Sequence, residues 1–277
     1  MALKLDEVED VEIRLLLEGV QQIYGYDFRD YADASIKRRL THWLAESGFD
    51  TFSQAQSLLL RERSVFESLL RGITVNVTEM FRDPAFFKAV REQVVPFLKT
   101  YPFVKIWHAG CATGEEAYSM AILLNEEGMA GRYRMYATDI NETVLQKAAE
   151  GVMPITEMQR FTRNYQKSGG TASFADYYTA RYDRAILSSA LSKDIVFAPH
   201  NLAVDGEFGE MNLVLCRNVM IYFKPALKER CLRLFDSSLL PGGFLCLGLK
   251  ETLEKRKMGD RYEELAPGMR IYRKRYA

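Results

Sequence analysis

The sequence predicts an α/β fold: a parallel sheet wrapped by helices, preceded by an all-helical domain and interrupted by a small β-rich insertion. Three observations lead there. Residues 1–74 carry helical spacing alone, short apolar runs alternate with helical stretches from Pro102 onward, and residues 156–193 break that alternation with glycines and clustered aromatics. With 277 residues, 48% of them apolar, the chain is ample for a sizeable core. Lys and Arg number 37, as do Asp and Glu, so no net charge draws the protein to a polyanion, and nucleic acid is not an expected partner. No apolar run approaches the roughly 20 residues of a membrane span, and Met1 to Asp10 is too acidic for a signal peptide. A cytoplasmic protein without membrane insertion is expected.

The helical domain, residues 1–74, rests on Val11, Leu15, Leu16 and Val20 and on Ile36, Leu40, Trp43 and Leu44, each set spaced by three or four. Thr51-Phe52-Ser53-Gln54 has the form of a capping box. Lys37, Arg38 and Arg39 lie together on a short helix, as a solvated face or as a docking patch for an acidic partner. Residues 75–277 form the second domain. Asp83-Pro84 starts a helix, with Asp83 able to cap and Phe86, Phe87, Val90 and Val94 giving a buried face. Strands are expected at Val104 to Ala109, Arg134 to Thr138, Asp194 to Ala198, Asn212 to Cys216 and Phe244 to Leu247. The insertion, residues 156–193, contains Ser168-Gly169-Gly170 followed by Phe174, Tyr177, Tyr178 and Tyr182, and reads as strand-rich.

Ligands on such sheets gather beyond the carboxyl ends of the strands, so the residues just after each run are the candidates. The first run enters Gly110-Cys111-Ala112-Thr113-Gly114-Glu115-Glu116, a tight turn and a helix start. A helix start suits phosphate, but two carboxylates in its first turn repel a diphosphate and answer a cationic adenosyl ligand better. The alternative for both is plain stabilisation of the helix dipole. Asp139, after the second strand, is placed to accept the hydroxyls of a ribose, or to cap the next helix. Asn76 and Thr78 alternate with Val75 and Val77, which puts both polar groups on one side of an extended segment. Asn218 and Tyr222 follow the fourth strand, and one turn of helix there would align them. Cys111, Cys216, Cys231 and Cys246 have no close pairing and read as buried thiols, with neither disulfide nor metal expected.

Taken together, Asn76-Val77-Thr78-Glu79-Met80-Phe81-Arg82-Asp83, Gly110 to Ser119, Ala137 to Ile140, Asn201-Leu202 and Cys216-Arg217-Asn218-Val219-Met220-Ile221-Tyr222-Phe223 resemble the motifs of the CheR-type chemotaxis receptor methyltransferases, in order and over nearly the whole chain. The resemblance implies a Rossmann-like class I S-adenosylmethionine-dependent methyltransferase that converts glutamates on chemoreceptor cytoplasmic helices into methyl esters, releasing S-adenosylhomocysteine. By motif position, Asn76, Thr78, Arg82, Gly110, Glu116, Asp139, Asn201, Leu202, Arg217 and Asn218 would line the cofactor site, and Arg82 and Tyr222 would face the chemistry. Ala117 and Met80 stand where many relatives carry Pro and Phe. A glutamate of ordinary pKa near 4.3 is already an anion at neutral pH, so this reaction requires no strong base. Tyr222 is then read as orienting the glutamate, and Arg82 as meeting the cofactor's carboxylate or steering the substrate. The rival functions are methylation of another signalling protein and a non-catalytic adaptor that binds the cofactor.

Overall fold

A computed structural model describes residues 5–253 and 258–276. The chain divides into two compact units, one of Met1–Val75 with Asn201–Asp205 and Tyr222–Cys231, the other of Asn76–His200, Gly206–Ile221 and Leu232–Ala277.

The first unit holds α1 (Leu5–Tyr24), α2 (Asp33–Ser47), α3 (Phe52–Leu59) and α4 (Arg63–Ile73). α1 buries Ile13, Leu16, Leu17 and Val20, whereas Val11 and Leu15 of the expected stripe are 43% and 52% exposed. The apolar residues of α1 cover more than one face, and packing selects the stripe that begins at Ile13. Thr51 caps α3 by accepting from the Gln54 amide at 3.2 Å. The Gln54 side chain accepts from Asp50 at 3.0 Å rather than closing the box on Thr51. Tyr24 stacks on Phe66 with ring centroids 4.0 Å apart. Two later parts of the chain complete this unit. Tyr31 and Phe223 form a β-bridge, the Ala32 amide donates to the Tyr222 carbonyl at 2.8 Å, and the Lys224 amide donates to that of Asp30 at 2.7 Å.

The second unit opens with a helical run, α5 (Pro84–Ala89) and α6 (Val95–Leu98), joined by a π turn at Val90–Val94. Pro96 has no N–H to donate into the helix, and the Val95 amide reaches back five residues to Val90. Then follow β1 (Val104–Ala109), α7 (Glu115–Glu126), β2 (Tyr133–Asp139), α8 (Glu142–Glu150), β3 (Val152–Pro154), α9 (Met158–Lys167), β4 (Tyr178–Arg181), β5 (Arg184–Leu187), α10 (Ser189–Ser192), β6 (Ile195–Pro199), β7 (Met211–Cys216), α11 (Pro225–Ser238), whose first turns belong to the first unit, β8 (Leu239–Leu247), β9 (Tyr262–Ala266) and β10 (Ile271–Lys274).

The main sheet runs β6-β2-β1-β7-β8-β10-β9. Its first five strands are parallel and β10 is antiparallel to both neighbours. β7 is buried at every position, as a central strand covered on both faces must be. Its one amide side chain, Asn212, is satisfied by accepting from the Lys105 backbone at 2.9 Å. Successive strands step outward from β1 to β6, then the chain returns to β7 and steps the other way. The carboxyl ends of β1 and β7 therefore flank the switch point where such sheets hold ligands.

A second sheet, β3-β5-β4, is antiparallel, begins at Val152 and includes α9 between its first two strands. Helix α9 buries Met158, Phe161 and Tyr165. The Glu126 carboxylate at the end of α7 accepts from the hydroxyls of Tyr165 and of Tyr177, the latter at 2.8 Å, and pairs with Arg91. These contacts tie α9 and the turn before β4 to α7. All four cysteines are buried and free. Among the described residues no helix is long and apolar enough to cross a membrane.

Candidate functional site

The turn after β1 is built from left-handed backbone: Gly110 has φ 78°, Ala112 49° and Gly114 91°. A Cβ on Gly110 would lie 2.4 Å from a methyl of Val219, so glycine is required there on steric as well as conformational grounds. The Gly110 and Cys111 amides both donate to the Thr138 carbonyl, at 2.8 and 2.9 Å, and the Ala112 amide donates to Asp139 Oδ2 at 2.9 Å. Asp139 Oδ1 accepts from the Asn141 amide at 3.0 Å. Burial pushes the Asp139 carboxyl above its ordinary range, against the pull of these amides. The Ile140 amide adds a third such bond, which leaves the carboxylate one further acceptor site.

The two carboxylates at the start of α7 are not the open negative charges that their positions lead one to expect. Glu115 is buried and accepts from the Thr113 hydroxyl at 2.7 Å, and burial raises its pKa. Glu116 is buried beneath the turn, with Oε2 2.6 Å from Arg217 Nη1 and Oε1 3.3 Å from His108 Nε2. Burial alone would raise Glu116, but Arg217 and His108 hold it below the ordinary value.

Arg217 follows β7 and its side chain is fully buried. Its guanidinium pairs with Asp83 at 2.7 Å, lies 3.9 Å from the Phe86 ring centroid and has two nitrogens 3.4 Å from the Arg82 carbonyl. Asp83 is consequently not the expected side-chain cap. It has φ 58° and makes no capping bond, because its carboxylate is taken by Arg217. Phe81, with φ 52°, donates its amide to Ser119 Oγ at 2.8 Å. Two non-glycine residues held left-handed on either side of Arg82 mark a segment that tertiary contacts override. The Arg82 side chain is half-buried and, among the described residues, pairs with no carboxylate. Asn76 and Thr78 are half-buried about Val77, which is 79% exposed.

After Arg217 the chain does not form the expected turn of α-helix. Asn218 is left-handed at φ 61°, and only Met220–Tyr222 coil, as a 3-10 turn. The cause is Glu251, whose Oε2 accepts the Asn218 amide at 3.0 Å and the Gly248 amide at 2.7 Å while Oε1 accepts that of Ile221 at 3.2 Å. Asn218 Oδ1 is buried without a partner among the described residues.

Arg82, Gly110, Glu116, Asp139, Arg217 and Asn218 thus gather about the carboxyl ends of β1, β2 and β7, Glu116 and Arg217 as an internal ion pair. Asn201, Leu202 and Tyr222 fall in the other unit. Asn201 Oδ1 accepts from the Ala203 amide at 3.0 Å, and the Leu202 carbonyl accepts from Arg230 Nε at 3.3 Å. Tyr222 is half-buried with its ring centroid 4.9 Å from the Arg39 guanidinium. The basic cluster on α2 is divided: Lys37 pairs with Asp10 at 2.7 Å, Arg39 turns inward to the Ile73 carbonyl at 2.9 Å, and Arg38 alone of the three is exposed. Sequence reasoning missed Glu251 and His108. The signal for His108 was its place beside Ile106, Trp107 and Ala109 in a central strand; for Glu251 there was none.

Residues 76–266 match the family model described as CheR methyltransferase, SAM binding domain, and residues 11–74 match the CheR methyltransferase, all-alpha domain. The chain is 49% identical over 265 residues to Cher3 of Pseudomonas putida, covering 96% of this chain and 97% of that protein. It is 32% identical over 254 residues to a 104.1 kDa protein of Rhodobacter capsulatus, covering 89% of this chain and spanning 26% of that one. The chemotaxis protein methyltransferase of Salmonella typhimurium is 29% identical over 254 residues, with 88% of this chain and 85% of that protein covered.

Proposed function

Because the chain belongs to the CheR methyltransferase family, we propose that it methylates glutamate side-chain carboxylates on the cytoplasmic helices of chemoreceptors, giving methyl esters and S-adenosylhomocysteine. The chain is an S-adenosylmethionine-dependent methyltransferase, and the chemotaxis proteins among its relatives support that role here. The cytoplasm is the compartment that this substrate requires.

One observation carries the cofactor assignment to particular residues: the glycine turn and Asp139 are stitched together at the switch point, next to Asn218, whose buried Oδ1 has no partner among the described residues. That combination suits S-adenosylmethionine, since backbone without side chains permits close approach and an acceptor stands ready for ribose hydroxyls. When bound, the cofactor supplies a methyl group on a positively charged sulfur. Asp139, the turn from Gly110, Asn218, Asn76 and Thr78 are the residues assigned to hold it. Glu116 and Arg217, which their motif positions assign to the same site, also brace Arg82, Asp83 and the turn.

The protein's work is alignment and exclusion of water, because the glutamate needs no deprotonation. Positive and negative charge cancel as the methyl moves, so a tight cation on the carboxylate would favour the ground state. Arg39 is engaged by the Ile73 carbonyl and by the ring and hydroxyl oxygen of Tyr222, and the hydroxyl keeps its own proton as the gentler donor to orient the glutamate. Arg82 is assigned to the cofactor's carboxylate or to steering. Since the α2 cations are divided, any acidic receptor surface docking on α2 would meet Arg38 foremost.

The test is transfer of labelled methyl to purified chemoreceptor cytoplasmic fragments. Label released as methanol in alkali is expected; alkali-stable label, or none, overturns the glutamate ester.

A further inference from the structure

We infer that Glu251 is a positioning residue for cofactor binding: its carboxylate gathers backbone amides from two loops and thereby sets where Asn218 stands. Glu251 is 5% exposed, and among the described residues no cation pairs with it. A buried carboxylate without a counter-charge is costly unless several donors converge on it. Here they do, all from backbone: Gly248 at 2.7 Å from its own loop, and Asn218 at 3.0 Å and Ile221 at 3.2 Å from the loop after β7. Burial raises its pKa and these amides, with that of Met220, pull it down.

The packing between the loops is equally specific. A Cβ on Gly248 would fall 2.7 Å from the Asn218 amide nitrogen and 2.7 Å from Glu251 Oε2. Gly248 is therefore small because the loop after β7 must come against the end of β8. Asparagine tolerates the left-handed region better than any residue but glycine, so Asn218 takes up this φ at small cost, and the bond from its amide to Glu251 fixes it there. Both oxygens of Glu251 accept, so a glutamine can satisfy only one side and turns an N–H₂ group toward amide donors on the other.

This inference rests on the reading of Asn218 as a cofactor contact, and its test is binding rather than turnover. In calorimetry with S-adenosylhomocysteine, Glu251→Gln and Gly248→Ala are each expected to bind about tenfold more weakly than the wild type. Asn218→Ala should cost little further in the Glu251→Gln background, since both act through one loop. Full additivity, or a Glu251→Gln affinity within about twofold of wild type alongside a lowered melting temperature, marks a merely structural carboxylate and overturns the proposal. Should neither variant fold, amide exchange in the wild type decides: the Asn218, Ile221 and Gly248 amides are expected to be protected, and fast exchange overturns it. A wild type that binds S-adenosylhomocysteine but esterifies no glutamate removes the substrate reading and leaves this one intact.

Discussion

The Arg39 guanidinium lies 4.9 Å from the ring centroid of Tyr222, and burial lowers its pKa while the neighbouring tyrosine counters that effect. A basic residue that by position belongs to a surface cluster is thus a packing partner of the residue assigned to orient the substrate. The pair is expected to couple. In urea denaturation, a double-mutant cycle of Arg39→Met and Tyr222→Ala should give an interaction of about 0.5–2 kcal/mol, and strict additivity would contradict the contact.

Tyr222→Phe keeps the ring face for Arg39 and removes only the hydroxyl. Turnover is expected to fall about tenfold, in line with the loss of one hydrogen bond, while S-adenosylhomocysteine binds as before. Steady-state kinetics beside calorimetry separate the two, and equal turnover would dismiss the hydroxyl from substrate alignment.

Asp139→Ala removes an acceptor from the ribose and from the Ala112 and Asn141 amides alike. Charge-assisted bonds worth about 1.5–3 kcal/mol each predict cofactor binding weakened tenfold or more. Unchanged calorimetric affinity would withdraw the ribose assignment.

Arg217→Met leaves Glu116 buried without its cation, and about 3–5 kcal/mol of stability should be lost in denaturant titration. Adding Glu116→Leu is expected to restore part of it. A double variant no more stable than Arg217→Met would show that the damage comes from elsewhere.

The pH dependence of that pair follows from Glu116 being held below its ordinary value of 4.5. Its contribution is fully present above that value and is lost as pH falls through the lowered one. The stability gap between wild type and Glu116→Gln should therefore narrow in acid. A gap that widened on acidification would reverse the sign assigned here.

Local pattern carried much of the fold. Val104–Ala109 is a strand at both of its expected ends, because a mainly apolar run that follows Pro102 and stops at Gly110 suits a central parallel strand. β8 was legible only from Phe244, since Pro241-Gly242-Gly243 reads as a break; in the structure it lies where the pairing with β7 shifts register. Asp83 was misjudged as a cap because its partner, Arg217, stands 134 residues away. Glu251 was invisible for a related reason: its partners are backbone amides, which every loop possesses and no residue type announces. Turns, apolar spacing and motif order are local properties, whereas the ion pairs and carboxylate anchors of this site form only after distant strands have met.

The stretches Asn201–Asp205 and Tyr222–Cys231 pack with the N-terminal helices rather than with the sheet around which they are threaded in sequence. The helical part is accordingly not a detachable module. A protein cut at residue 75 would yield a helical fragment missing two of its own pieces, and a remainder in which Phe223 has lost the aromatic partner supplied by Tyr31. A graft of the helices would therefore have to carry Asn201–Asp205 and Tyr222–Cys231 with it to keep their unit whole.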